Sequence, residues 1–118
     1  MWKVTESSLK TLIEQTLKIP VFEGGESIVC PAATLEIGDH PATLIGDGKA
    51  KVREAEVTIN LFYTDKSPRD TGAALLLATL DTQEGISVPD CFNYYDTAAK
   101  KFRSVISFNY IPREEITT

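Results

Sequence analysis

Residues capable of chemistry are sparse in this chain, and their spacing speaks mainly against the usual motifs. Leu44-Ile45-Gly46-Asp47-Gly48-Lys49-Ala50 contains the Gly-Lys pair of a phosphate-binding loop. Such a loop needs a glycine five positions before that pair's own glycine, and a hydroxyl after the lysine to reach a metal ion. Here Thr43 and Ala50 hold those two places. Gly46-Asp47-Gly48 reads instead as a hairpin turn, two glycines flanking a residue that tolerates positive φ. No serine is bracketed as Gly-x-Ser-x-Gly, the elbow that presents a hydrolase nucleophile. A thiolate–imidazole pair would have to join Cys30 or Cys91 to His40, and no neighbouring residue supports one. With one histidine and no CxxC pair, a zinc site is not expected. The cysteines are read as free, small apolar residues of the interior, and His40, before Pro41, as a loop residue. Glu54 and Glu56 fall on one strand face together with Thr58 and Asn60, and Asp81 and Glu84 lie near a helix end. Both carboxylate pairs read as solvated surface, not as acid–base partners. No catalytic residue, metal or cofactor is therefore expected.

Two basic clusters merit a phosphate test. Lys49, Lys51 and Arg53 lie on one strand; Lys100, Lys101 and Arg103 surround the last hairpin, next to Phe102, Tyr94 and Tyr95, whose rings could stack on bases. Glu54 and Glu56 dilute the first cluster, and the chain as a whole carries a net charge of −5. Duplex binding rests on neutralising phosphates, so an acidic chain is poorly suited to it. The preferred reading is of charged strand edges that discourage unwanted pairing, with no specific nucleic-acid partner.

These residues must be positioned by a chain of 118 residues that is 42% hydrophobic and 25% charged, the balance of a globular domain. A single domain over 1–118 is expected. No basic start with an apolar core marks a signal peptide, and the longest near-apolar run, Gly72 to Leu80, is too short to span a bilayer, so a cytoplasmic, non-membrane protein is expected.

Leu9, Leu12, Ile13 and Leu17 form one apolar stripe, which predicts a helix over Thr5–Lys18, capped by Thr5 or Ser7 and stopped before Pro20. Ile28–Cys30 is a short strand candidate broken at Pro31, and Ala33, Leu35 and Ile37 alternate with Thr34 and Glu36. Pro31 and Pro41 imply edge or irregular strands, because proline cannot donate to a ladder. Lys49–Thr64 is the longest strand candidate. Val57, Ile59, Leu61 and Tyr63 share one face, and Val52 falls in phase with them only if a bulge lies near Glu54-Ala55. Ser67-Pro68-Arg69-Asp70 predicts a second helix with Ser67 as its cap, Pro68 at the first helical position and Asp70 reaching back to the cap amide. Ala73, Leu76, Leu77 and Leu80 are its buried stripe, widened by Leu75 and Ala78, with Gly85 as its stop. Strands around Phe92–Tyr95 and Phe102–Ile111 close the chain. The fold class is α+β: a largely antiparallel sheet of four to six strands, two helices on one face, in the order α-β-β-(β)-β-α-β-β.

This layout resembles the small tail terminator and tail-completion proteins of long-tailed bacteriophages and prophages. The resemblance lies in the leading helix running into Ile19-Pro20-Val21-Phe22, the long strand Glu56-Val57-Thr58-Ile59-Asn60-Leu61-Phe62-Tyr63 entering a helix from Ser67 to Leu80, and Asn93-Tyr94-Tyr95-Asp96 before the strand Phe102–Tyr110. It implies a non-enzymatic assembly factor that forms a homo-oligomeric ring, commonly hexameric, on the end of the tail tube. The ring stops polymerisation and offers a docking face to the head. Tail tube and head–tail connector proteins would be its partners, and it would move from the host bacterial cytoplasm into the virion tail. Such a protein must expose aromatic or apolar residues for its contacts. Phe62, on the polar side of its strand, and Tyr94 or Tyr95 are the candidates.

The charge adds a further expectation. From Ile19 to Gly48 there is no Lys or Arg, while Glu23, Glu26, Glu36, Asp39 and Asp47 place five negative charges there, which accounts for the whole net charge of −5. Glu23, Glu26 and Glu36 are thus candidates for an electronegative face that docks a basic partner or lines a channel without gripping DNA. The competing reading, from a different class, is a small ligand-binding module or enzyme. It would use Thr58, Asn60 and Ser104 beside aromatic residues in a site between sheet and helices.

Overall fold

The computed structural model describes residues 6–22, 30–45, 50–83 and 85–110, and the side chains among them other than those of 6, 39–45 and 50–54. The first apolar stripe folds as α1 (Glu6–Leu17), with Leu9 and Ile13 fully buried and Leu12 and Leu17 packed at the core's margin. Lys18 takes a left-handed φ of 58° and donates its N–H to the Glu14 carbonyl at 2.9 Å, so the helix ends ahead of Pro20. Then come β1 (Val21–Phe22), β2 (Ala32–Ile45), β3 (Ala50–Tyr63), α2 (Lys66–Asp81), β4 (Asp90–Asp96) and β5 (Lys101–Tyr110). Among the described residues no helix is long and apolar enough to cross a membrane.

The architecture is α+β. Among the described residues five strands form one sheet in the order β1-β2-β3-β5-β4, and only the short β1–β2 pairing is parallel, which makes the sheet mixed. Register decides which side chains meet. Ala33 lies opposite Leu61, Leu61 opposite Ser104, Ile59 opposite Ile106 and Val57 opposite Phe108, so these residues share one face. That face joins Leu9, Ile13 and Ile19 with Ala73, Leu76 and Leu80 of α2 in one core, and both helices pack on it.

Several expectations shift in detail. Ile28 and Val29 lie outside the described residues, Cys30 and Pro31 form a bend, and one continuous β2 takes in His40 and Pro41, which the sequence suggested for a loop. Pro41 is tolerated because it falls within the irregularity of the β2–β3 register, where no residue of β3 is paired with it. The expected bulge exists but sits on β2: His40 pairs with Glu54 and Thr43 with Val52, so two residues of β2 oppose Arg53 alone. The Gly46-Asp47-Gly48 turn lies outside the described residues, although Ile45 pairs with Ala50 on either side of it.

At the second helix the cap is Asp65, in extended conformation and making no side-chain cap bond, so α2 starts one residue before Ser67. Pro68 is accommodated because first-turn N–H groups have no helical acceptor. Asp70 turns to Arg69 rather than to the cap amide. The buried stripe is Arg69, Gly72, Ala73, Leu76 and Leu80; Leu77 is only partly buried, and Leu75 and Ala78 face outward, because the sheet covers a narrower arc of α2 than the sequence suggested. The helix closes at Thr82, with Gly85 in a turn at φ 85°.

Gly72 sets how closely α2 approaches β3. A Cβ there would lie 2.5 Å from the Tyr63 hydroxyl oxygen and 3.1 Å from its Cζ. Gly72→Ala is therefore expected to destabilise the protein by about 1–2 kcal/mol despite alanine's better helix propensity. In a Tyr63→Phe background, which removes the nearest atom, urea unfolding should show a clearly smaller cost. Equal costs in both backgrounds would refute the contact.

Candidate functional site

The features most open to a partner gather at the β4 side of the sheet. Among the described residues β4 is an edge strand, hydrogen-bonded to β5 alone, and the hairpin between them is closed by Asp96, whose Oδ1 accepts the Ala99 N–H at 3.0 Å. Lys100 completes the turn at φ 58°. Before β4, Ser87 donates its N–H to the Asn109 carbonyl at 2.8 Å and its hydroxyl accepts the Asn109 N–H at 2.9 Å, so this stretch follows β5 as well.

Apolar surface is exposed along this edge. Phe92 is 66% exposed, Val88 84% and Tyr95 46%. Phe92 and Tyr94 share a face with ring centroids 5.3 Å apart, and Tyr95 meets Phe102 edge-on at 4.9 Å on the opposite face. Tyr94 is half-buried, so of the expected contact residues Tyr95 is the more accessible. Phe62 is not exposed. It lies on the polar side of the sheet as read, but β3 is central there, Ala32 and Arg103 flank it, and it retains only 7% exposure.

Two arginines lock this corner from opposite faces. Arg103 sends Nε and Nη2 to Asn60 Oδ1 at 3.2 and 2.7 Å and Nη1 to Asp96 Oδ2 at 3.2 Å. Its guanidinium lies 5.0 Å from the Phe62 ring centroid and 5.7 Å from that of Tyr94, a cation–π sandwich. The Ala99 N–H, with help from Arg103, holds the Asp96 carboxyl below its ordinary range. Arg103 is thus committed within the chain and does not stand out as a phosphate ligand. Arg69, buried in α2, donates Nη1 to the carbonyls of Tyr94 and Arg103 at 3.2 and 3.4 Å and Nε to Asp70 Oδ1 at 2.7 Å. It ties the helix to both strands of the last hairpin.

In the sequence Arg103 stood out only as a member of a basic cluster, and Arg69 not as an anchor at all. A signal for Arg69 exists: it lies four residues before Ala73, on the extension of the apolar stripe. For Arg103 the sequence offers its basic cluster but nothing that points to Asn60 or Phe62, which only the register brings opposite or beside it.

The remaining candidates do not converge. Glu36 is exposed on the face opposite the helices, while Glu23 and Glu26 lie outside the described residues. Glu56 is exposed, as is Asp81, and Glu84 lies outside the described residues. Ser104 is buried on the helix side, where its hydroxyl donates to Asn93 Oδ1, whereas Thr58 and Asn60 point to the other side of the sheet. The three polar residues invoked for a site between sheet and helices are thus divided between faces. Among the described residues every fully buried side-chain nitrogen and oxygen has a partner.

The cysteines are free, but Cys91 is exposed on the edge strand and not interior as read, and Cys30 is half-buried. The Cys91 Sγ lies 3.3 Å from Asn93 Oδ1. Loss of hydration, partly offset by Arg69, pushes the Cys91 thiol above its usual range, which leaves little reactive thiolate at neutral pH. Compared with models of known protein families and with curated protein sequences, the chain matches none.

Proposed function

We propose that this chain is a non-enzymatic structural protein of a bacteriophage or prophage tail, acting as tail terminators do. In this reading it assembles as a homo-oligomeric ring at the end of the tail tube, stops tube polymerisation and provides a docking face for the head–tail connector. The observation that carries the reading is the edge of β4. A seven-residue edge strand that carries exposed Phe92 and Tyr95, with exposed Val88 just before it, is a surface that soluble monomers ordinarily blunt. Where it is kept bare, a contact between subunits explains it. The layout of helix, long strand, helix and closing hairpin adds support through its resemblance to that family. Electron microscopy of particles made without this gene is the test: tails of uncontrolled length are expected, and tails of normal length would overturn the proposal.

A further inference from the structure

We propose that the outer edge of β4 pairs with the same edge of a second copy of this chain, antiparallel and about a two-fold axis at Phe92. The inference goes beyond the ring reading and does not rest on it. A two-fold contact joins copies in pairs, and a ring would need a further contact.

The exposure of β4 shows its outer flank to be open. β5, with β3 on one side and β4 on the other, has no exposed residue from Lys101 to Tyr110. β4 exposes five of its seven residues. Asp90 and Phe92 do so on the face opposite the helices, where Ser107 and Val105 beside them on β5 are half-buried. Cys91 and Asn93 do so on the helix face, beside buried Ile106 and Ser104. A strand along the outer flank would cover these side chains as β4 covers those of β5. The flank is also undefended. β4 contains no lysine and no proline, the usual guards of an edge, and Phe92 near its middle is 66% exposed.

Register selects Phe92 as the centre. Pairing about Asn93 would set Asp90 against Asp96 of the second copy, and like charges directly opposite are destabilising. Pairing about Cys91 or Tyr94 would set Phe92 against a carboxylate, Asp90 or Asp96. About Phe92 no acid faces an acid or an apolar ring alone. Phe92 meets its twin, Cys91 meets Asn93, and Asp90 meets Tyr94, whose hydroxyl can donate to it. The Phe92–Tyr94 ring pair, with centroids 5.3 Å apart, then joins its twin in a cluster of four rings on one face. Pro89, which has no N–H to donate, falls opposite Tyr95 and ends the ladder, so residues 90–94 of each copy form it.

The helices leave room for this contact. A two-fold axis normal to the sheet keeps both copies' helices on one face. Each α2 lies over β3 and β5, so the two would stand four strand spacings apart, roughly 19 Å. Packed helices touch at about 8–10 Å, so neither α2 blocks the other copy. A ladder this short makes a small seam, and the dimer belongs to the weak, concentration-dependent class.

Sedimentation equilibrium and native mass spectrometry on the purified full-length chain test this. The natural protein is expected to form dimers, or larger assemblies of an even number of copies. Phe92→Asp, which sets two carboxylates face to face at the axis, is expected to raise the dissociation constant of the pairing by about tenfold or more. Thermal melting confirms that the variant folds. Cross-linking tests the position, in a chain carrying Cys30→Ser and Cys91→Ser. Directly opposite residues of an antiparallel pair have Cα atoms about 4.5–5.5 Å apart, within the span of a disulfide. Phe92→Cys is therefore expected to link two copies when a thiol oxidant is added. Val88→Cys is the control: Val88 is 84% exposed but would face Asp96 of the second copy, with its own twin roughly 26 Å away. A natural chain that stays monomeric at its highest soluble concentration would overturn the proposal. So would a folded Phe92→Asp variant that pairs as the natural chain does, or Val88→Cys linking as readily as Phe92→Cys. The proposed function fails separately: normal tails without the gene would remove it even where the pairing is confirmed.

Discussion

Arg69→Ala is expected to destabilise the protein by about 3 kcal/mol, the largest effect of any polar substitution considered at the β4 corner. The side chain is buried at the start of α2, and its Nη1 donates to the carbonyls of Tyr94 and Arg103, on the two paired strands of the last hairpin. Alanine would remove a charge-assisted donor from both carbonyls and leave a cavity beside Phe102, whose ring centroid lies 5.7 Å from the guanidinium. The ion pair with Asp70 contributes far less, because the Asp70 side chain is 45% exposed and screened by water. Asp70→Ala is accordingly expected to cost no more than about 1 kcal/mol. Arg69→Lys is expected to recover only part of the loss, since an ammonium lacks the planar fork that serves Nε and Nη1 at once. Chemical unfolding of the three variants checks the order. If Asp70→Ala proved as costly as Arg69→Ala, the anchor would be the ion pair and the carbonyl contacts would be incidental.

This anchor also bears on the proposed function. Among the described residues β4 has only β5 beside it, so its position relative to the rest of the sheet depends on the hairpin and on Arg69 above it. An edge that must make a contact with another copy gains from being held in place beforehand, because ordering it on contact would cost affinity. Hydrogen exchange of the β4 amides in Arg69→Ala, against those of β3, reports on that preorganisation directly.

The parts of this fold that were legible in the sequence are those in which periodicity alone decides the outcome. Leu9, Leu12, Ile13 and Leu17 can share a face only on a helix, and Val57, Ile59, Leu61 and Tyr63 only on a strand, and the structure has both. The illegible parts depend on coverage. Alternation put Phe62 and Asn60 on the polar side of β3, but could not show that this strand is third of five, with β2 and β5 covering its flanks. Arg103 reaches Asn60 across β3 and β5, 43 positions apart in sequence, and nothing local announces such a contact. Prolines were read with mixed success. Pro41 was expected in an edge or irregular strand and does fall at the bulge of β2, although His40 beside it was read as a loop residue; Ser67-Pro68 suggested a helix start, yet the first turn has room for proline beyond its first position. Of the candidate contact residues, Tyr95 is the accessible one, while Phe92, within β4, and Val88, just before it, were missed because exposure at a sheet edge carries no periodic signal.

The adjacent leucines of α2 turn this difference between pattern and coverage into an energy. Leu76 is fully buried, whereas Leu75 is 47% exposed, although the sequence places both within reach of one apolar stripe. Leu76→Ala removes side-chain atoms from the single core that joins α1, α2 and the sheet, and is expected to cost about 3 kcal/mol or more through lost burial and an unfilled cavity. Melting should fall by about 10 °C or more at this chain size. Leu75→Ala changes an outward side chain and is expected to stay within about 0.5 kcal/mol of the natural protein. Since the two substitutions delete the same atoms from neighbouring positions of one helix, propensity and unfolded-state effects largely cancel between them. The difference in their unfolding free energies therefore isolates what the sheet covers. Comparable losses at both positions would mean that α2 lies rotated on the sheet, and that Arg69, seven residues before Leu76 on the same face, does not reach the hairpin.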